Sequence, residues 1–136
     1  MSSDTASRTQ TITSNDDVVR ARQLVRNLAQ ECRLSLVDQT KLVTAVSELA
    51  RNTLIHGGGG TMAADFTQEG ARRGLRVRFE DSGPGIPDLQ QALTDGWTSG
   101  DGLGLGLSGS RRLVDHFDIV TAPGEGTTVT ITKWAR

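Results

Sequence analysis

Three polar segments rich in glycine interrupt an otherwise regular succession of apolar patterns, and they limit where helices and strands can lie. They occupy residues 48–52, 81–85 and 102–107. The chain has 16 glycines among 136 residues, about 12% against a usual share of about 7%, and most of them lie in or close to these segments, at 57–60, 83–85 and 100–109. Glycine concentrated at the ends of predicted helices and strands indicates backbone that approaches a ligand closely.

The apolar residues around these segments predict a single α+β domain over residues 8–136, preceded by a flexible tail at 1–7. Ser14 and Ser35 each stand before a pattern of helical period, and each is predicted to cap a helix. We expect these helices to form one layer on a mixed, mostly antiparallel sheet. Leu75 to Glu80 alternates as a half-buried strand does, and the same reasoning predicts strands at 8–13, 61–67, 118–122 and 127–134, helices at 87–93 and 107–117, and a loop at 97–102.

Charge and apolar distribution exclude several classes of function. The net charge of -1 gives no reason to expect nucleic acid or an anionic membrane as a partner. Cys32 is the only cysteine, which excludes a disulfide framework and a cysteine-based zinc site. No apolar run approaches the length of about 18 residues that a membrane span requires, and no signal-peptide pattern opens the chain. We therefore expect a cytoplasmic protein.

Glu48 and Asn52 are four residues apart in the second predicted helix, so they share one helix face. The amide oxygen of asparagine suits Mg²⁺, which keeps several waters and takes further ligands from phosphates. Glu48, one turn earlier, is placed to accept a proton from an attacking hydroxyl or water. The competing interpretation is a polar helix flank that faces solvent.

Asp81 ends a predicted strand and enters a tight turn that contains Gly83 and Gly85. A carboxylate at this place can accept a hydrogen bond from the amino group of adenine, and the glycines let the backbone pass close to the base. The competing interpretation is an Asx turn, for which Asp-Ser-Gly is well suited.

The third glycine-rich segment matches a dinucleotide-binding fingerprint in its letters, at Gly104, Gly106 and Gly109. That fingerprint should leave a strand and have an acidic residue about 20 positions further on. Here the segment follows an aperiodic polar loop, and the acidic residue near that distance, Glu125, lies in a predicted turn. The interpretation that remains is a glycine-rich segment that leads into a helix and whose backbone N–H groups can donate hydrogen bonds to phosphates.

The two histidines are both predicted at helix ends. His56 continues the row of Glu48 and Asn52, and His116 is expected beside Asp115 in the last turn of a helix, where a positive charge is favourable. The sequence has no Ser-His-Asp arrangement with a nucleophile elbow. Trp97, in a predicted loop, could cover a ligand or contact a partner.

In their order and spacing, the three segments resemble the N, G1 and G2 boxes of the GHKL superfamily of ATPases and kinases. The run GEGTTV at 124–129 resembles the Gly-Thr strand that closes the adenine pocket in that group. Longer stretches resemble the RsbT-type serine/threonine kinases of partner-switching stress signalling. These stretches are ARQL at 21–24, VSELARN at 46–52, EDSGPGIPD at 80–88 and ITKWAR at 131–136.

The resemblance covers residues 8–136 and implies the Bergerat fold, a two-layer α/β sandwich that binds ATP with Mg²⁺. It implies Glu48 as the catalytic base, Asn52 as the Mg²⁺ ligand and Asp81 as the adenine acceptor. The other nucleotide contacts that it implies are Gly83, Gly85, Ile86 and Thr127 near the base, and Gly102, Leu103, Gly104, Leu105, Gly106 and Leu107 near the phosphates. Leu105 departs from the pattern, because a small residue often stands there in these kinases.

The resemblance also implies two protein partners. One is a STAS-domain antagonist protein, which the kinase phosphorylates on serine, and the other is a PP2C-type phosphatase, which the released kinase binds and activates. Two alternatives stay open at this point: an anti-sigma factor kinase that binds a sigma factor directly, and a non-catalytic binding module gated by ATP. A sensor histidine kinase is disfavoured because the chain lacks a phosphoacceptor-histidine helix pair.

Overall fold

Helices and strands follow one another in the computed structural model as the apolar patterns predict for most of the chain. The structure describes residues 7–85 and 107–136. Within these ranges the elements are β1 (Arg8–Ile12), α1 (Asn15–Glu31), α2 (Leu36–Ile55), β2 (Gly60–Glu69), β3 (Arg72–Asp81), α3 (Leu107–Leu113), β4 (His116–Thr121) and β5 (Thr127–Trp134).

The five strands form one sheet in the order β1-β2-β3-β5-β4, and every pairing among them is antiparallel. β3 is the central strand and is hydrogen-bonded on both sides. Its last residue, Asp81, lies opposite Gly60 of β2 and Thr127 of β5. The end of β3 is therefore enclosed by backbone from two neighbouring strands. This arrangement confirms the predicted α+β architecture.

One face of the sheet is covered by the helices, and the core lies between these two layers. Leu42, Val46 and Leu49 of α2 are fully buried, as are Leu75 and Val77 of β3. Burying a side chain of this size contributes about 1.5–3 kcal/mol each. The opposite face of β3 carries exposed charged residues. The alternation of apolar and charged residues in this strand therefore indicates a sheet with one buried and one polar face.

Both predicted helix caps are confirmed. The Ser14 hydroxyl accepts a hydrogen bond from the Asp17 amide at 3.2 Å, and the Ser35 hydroxyl accepts one from the Asp38 amide at 3.1 Å.

After α1 the chain turns through Arg33, which adopts a left-handed conformation with φ of 66°. Val19, which belongs to the apolar spacing of α1, is 56% exposed, so the buried stripe is narrower than the sequence pattern.

The last predicted helix is shorter than expected. The sequence predicts it over 107–117, but α3 ends at Leu113 and His116 is the first residue of β4. The reason is a tertiary contact, because the Asp115 amide donates to the Thr132 carbonyl at 2.9 Å and the Asp115 carboxylate accepts from the Trp134 amide at 2.8 Å. The placement of His116 in a last helical turn was therefore wrong. The predicted helix at 87–93 and the predicted loop at 97–102, which contains Trp97, lie outside the described residues.

A group of charges, buried except for the exposed Arg136, joins the start of α2 to the end of β5. The Lys133 side chain is 6% exposed, and its ammonium lies 3.5 Å from an Asp38 oxygen and 3.9 Å from an Asp115 oxygen. Arg136 pairs with both carboxylates as well. Burial raises the pKa of Asp115, but the Trp134 amide, Lys133 and Arg136 together outweigh it, so the pKa lies below its usual value. Two positive and two negative charges thus balance each other here.

Replacing Asp115 by asparagine should lower the free energy of unfolding by about 1 kcal/mol at pH 7. Because the folded-state pKa of Asp115 is depressed, its charge stabilises the fold fully above the unfolded-state pKa of about 3.9, and this contribution is lost as the pH falls through the folded-state value. Urea unfolding at several pH values should show the difference between wild type and Asp115→Asn shrinking below about pH 4. The exposed Asp118→Asn is the control, and a difference that stays constant with pH would contradict this assignment.

Candidate functional site

A cleft opens at the edge of the sheet where β3 ends, β5 begins and α2 terminates. The space between its walls, counted together with the solvent at its mouth, is about 440 Å³. Apolar side chains form much of its wall, and a few polar groups converge on it. The lining residues are Leu49, Asn52, Thr53, His56, Gly57, Phe79, Asp81, Gly85, Leu107, Thr127 and Val129.

Asp81 is the acidic residue that lines this cleft. One of its carboxylate oxygens, Oδ1, accepts a hydrogen bond from the Gly83 amide at 2.9 Å. The Asx turn considered from the sequence therefore exists, and it orients the side chain. Because the turn uses Oδ1, it does not exclude a role for Oδ2 in binding.

Glycine backbone surrounds Asp81 on several sides. A Cβ added at Gly57 would lie 2.6 Å from Asp81 Oδ2, and one added at Gly83 would lie 2.8 Å from the Gly57 Cα. Gly85 and Gly126 have positive φ values of 79° and 80°, a conformation that favours glycine. Any larger residue at Gly57 would have to displace the carboxylate.

Only part of the polar row on α2, which consists of Glu48, Asn52 and His56, lies in the cleft. Asn52 and His56 line the cleft, whereas Glu48 is half-buried one turn earlier and does not belong to the lining. The Asn52 carbonyl accepts from the amides of His56 at 2.9 Å and Gly57 at 3.1 Å, which ends the helix beside Asp81. Asn52 therefore lies in the last turn of α2, with its side chain lining the cleft.

His56 carries a buried polar atom that the described residues do not satisfy. Its Nε2 atom is buried and has no hydrogen-bond partner in that part of the chain. A buried polar group without a partner costs about 1–3 kcal/mol, and this one belongs to a side chain that lines the cleft.

Thr127 is fixed from the opposite wall. Its hydroxyl lies 2.9 Å from that of Thr121, and the Thr121 hydroxyl also donates to the Gly126 carbonyl at 3.1 Å. Together with Asp81 and His56, Thr127 gives a largely apolar cleft a small number of oriented polar groups. An apolar wall with a few oriented polar groups is typical of small-molecule sites.

The structure brings together five of the residues predicted from the sequence: Asn52, Asp81, Gly85, Leu107 and Thr127 all line the cleft. Gly83 contacts Gly57 behind Asp81. Ile86, Gly102, Leu103, Gly104, Leu105 and Gly106 lie outside the described residues.

Sequence reasoning named neither Gly57 nor His56 as a site residue. It placed His56 at a helix end and counted the glycines at 57–60 only among those that indicate backbone close to a ligand, although their place directly after the polar row of α2 was a usable signal.

The residues of the cleft fit a magnesium nucleotide better than a metal held by protein alone. Within residues 7–85 and 107–136, no three His, Cys, Asp or Glu side chains are grouped so that they could hold a metal ion. Mg²⁺ bound to a nucleotide needs only one or two protein oxygens, because phosphates and waters complete its octahedron. The Asn52 amide is the group in the cleft that suits this role.

No helix among the described residues is long and apolar enough to cross a membrane.

Comparison with known proteins gives the class. Residues 37–136 match the family model of histidine kinase-, DNA gyrase B- and HSP90-like ATPases, so the chain belongs to this ATPase family. The catalytic domain of the histidine kinase ThkA superposes with a TM-score of 0.53 at 16% identity, covering 93% of this chain and 95% of that domain. The RsbU and RsbW domains of Rv1364c from Mycobacterium tuberculosis superpose with a TM-score of 0.68 at 23% identity, covering 97% of this chain and 33% of that one.

Sequence relatives narrow the class to one group of kinases. The chain is 43% identical over 120 residues to the serine/threonine-protein kinase RsbT of Bacillus subtilis, covering 88% of this chain and 90% of RsbT. It is 32% identical over 120 residues to an anti-sigma F factor of Bacillus licheniformis, covering 83% and 81%. The chain therefore belongs with the RsbT-type serine/threonine protein kinases, and the resemblance found in the sequence is confirmed.

Replacing Gly57 by alanine should weaken ATP binding by about tenfold or more, because the new methyl group displaces the Asp81 carboxylate and a hydrogen bond to a charged group contributes about 1.5–3 kcal/mol. Titration with a fluorescent ATP analogue measures the effect. Gly70→Asn is the control, since a Cβ at Gly70 would meet nothing within 4 Å and asparagine tolerates the positive φ of that position. Unchanged ATP affinity in Gly57→Ala would show that the nucleotide does not use this corner of the cleft.

Proposed function

We propose that this kinase uses ATP with Mg²⁺ to phosphorylate a serine on a STAS-domain antagonist protein. After release, it binds and activates a PP2C-type phosphatase. The similarity to RsbT over most of both chains supports this proposal. The observation that carries it is the convergence of Asn52, Asp81 and Thr127 on one cleft.

Asp81 is the proposed reader of the adenine base. Its Oδ1 is engaged by the Gly83 amide, so we assign Oδ2, beside Gly57, as the acceptor for the adenine amino group. Thr127 and the apolar walls of Leu49, Phe79 and Val129 would hold the ring. Gly83, Gly85 and Ile86 complete the base-binding side in this proposal.

The phosphate side of the site rests on Asn52 and on the glycine-rich segment at 102–107. Asn52 would hold Mg²⁺ through its amide oxygen, and the amides of Gly102, Gly104 and Gly106 would donate to phosphate oxygens, beside Leu103, Leu105 and Leu107. When bound, the metal neutralises charge on the phosphates during transfer. The protein's task is then chiefly to position the nucleotide and the acceptor serine.

Glu48 is the proposed general base. It lies one helical turn before Asn52, a rise of about 6 Å along the helix axis, and it is half-buried. As the serine oxygen bonds to the γ-phosphorus and the bond to ADP breaks, the hydroxyl proton passes to the Glu48 carboxylate. Because Glu48 lies outside the base-binding cleft, its removal should spare nucleotide affinity.

Glu48→Gln should lower the rate of serine phosphorylation by about 10²–10⁴-fold and leave ATP affinity within about twofold of wild type. Incubation with labelled ATP, Mg²⁺ and candidate STAS-domain proteins measures the rate. Asn52→Ala is the companion variant, and it should lose the Mg²⁺-dependent part of ATP binding. A Glu48→Gln enzyme that phosphorylates at the wild-type rate would remove Glu48 from the role of base.

A second candidate is an anti-sigma factor kinase that binds a sigma factor directly. The observation in its favour is the group of anti-sigma F factors that are 26–32% identical to this chain. The higher identity to RsbT, 43%, favours the phosphatase-activating role. Affinity capture with purified sigma factor and purified PP2C-type phosphatase distinguishes the two, because only the correct partner should be retained at micromolar concentration.

The role assigned to Asp81 predicts selectivity for ATP over GTP of about 10–100-fold, since guanine presents a carbonyl where adenine presents an amino group and the carboxylate is then left unpaired. Asp81→Asn should narrow this ratio, because an amide can donate to that carbonyl. Isothermal titration with both nucleotides measures it, with Asp118→Asn as the control. Equal affinity of the wild type for ATP and GTP would exclude Asp81 as the base reader.

A further inference from the structure

A second groove lies at the end of β3 remote from Asp81, where the last turn of α1, the start of β3 and the end of the described chain come together. Four arginines line it: Arg33, Arg72, Arg73 and Arg136. Ala71, Ala135 and the buried Cys32 form its apolar part. Arg73 and Asp81 are eight positions apart along an extended strand, so the groove is roughly 27 Å from the nucleotide cleft.

Two of the four arginines in this groove have carboxylate partners. Arg72 pairs with Glu69 at 2.8 Å and lies 4.7 Å from the centre of the Trp134 ring. Arg136 pairs with Asp115 and Asp38, whose charges are also shared with Lys133. These side chains are held in place, and their charges are largely compensated.

The other two, Arg33 and Arg73, have no carboxylate within ion-pair distance among the described residues. The Arg73 guanidinium lies over the Phe66 ring, 5.3 Å from its centre, which holds it without neutralising it. The groove therefore has two positive charges in excess, although the whole chain carries a net charge of -1. A surplus of this kind attracts anionic groups.

Arg33 also occupies a backbone position where glycine is usual. Its φ of 66° is the only positive value at a non-glycine residue in the described ranges, and its neighbours close α1, since the Leu34 amide donates to the Ala29 carbonyl at 3.0 Å. Helices often end with glycine in this conformation. Six described glycines have positive φ, yet here the chain tolerates a strained arginine, which points to a role for its side chain.

We infer that this groove docks an acidic segment of a partner protein. Guanidinium groups bind carboxylates through paired hydrogen bonds, and the alanines between them accommodate apolar residues that lie between the acids. Two uncompensated charges are too few for the multiple phosphate contacts of nucleic acid or the polybasic clusters that bind anionic membranes. The groove is independent of the nucleotide cleft, so a partner can be held there while the cleft remains open.

The test is fluorescence anisotropy with a labelled peptide of about twelve residues, half glutamate and half alanine, added to the full chain at low salt. We expect a Kd on the order of 10⁻⁵–10⁻⁴ M that rises with salt. Arg33→Gly and Arg73→Gln should each weaken binding by roughly fivefold, and Arg22→Gln, an exposed arginine on α1, should not. A peptide with glutamine in place of glutamate should not bind.

Two measurements separate this docking role from a structural one. Arg33→Gly should melt at least as high as wild type, because glycine adopts the left-handed conformation without strain, and it should bind ATP normally. Peptide affinity that is unchanged in both Arg33→Gly and Arg73→Gln would overturn the inference. A second result would also overturn it: single-stranded DNA of equal charge binds more tightly than the peptide, and the same two variants weaken that DNA binding. The groove would then be a nucleic-acid site.

Discussion

The end of the central strand is the constraint on which the rest of the structure depends. Asp81 must end β3 in register with Gly60 and Thr127 while its carboxylate is held by the turn at Gly83. Backbone therefore approaches it from three directions, and only residues without a side chain fit at the nearest points. The clustering of glycine in the sequence is a consequence of this crowding around one acidic group.

The helix layer positions the residues on the other side of the cleft, opposite the end of β3. α2 runs across the sheet so that its last turn brings Asn52 and His56 to the cleft, and its first turn is fastened to β5 through Asp38 and Lys133. A helix fixed at one end by a buried ion pair and along its length by apolar packing cannot shift its polar row relative to Asp81. The geometry of the site is thus set by contacts that lie well outside it.

Local chemistry could be predicted from the sequence, and long-range contacts could not. The caps at Ser14 and Ser35 and the alternation in β3 are properties of neighbouring residues, and they were found. The end of α3 was misplaced because Asp115 bonds to Trp134, nineteen residues away. Taken one at a time, Asn52 and Asp81 were only separate candidates, and it was the order of the segments and their resemblance to a known family that placed them in one site. Their meeting in one cleft follows from the sheet order, which periodicity does not contain.

The position of β3 in the sheet also determines how the protein moves. A strand with hydrogen bonds to neighbours on both sides opens only when much of the fold opens, so its amides should be among the slowest to exchange with solvent. Asp81 and the arginine pair at 72–73 stand at the two ends of this strand. The floor of the cleft and one wall of the arginine groove are therefore formed by the two ends of one strand.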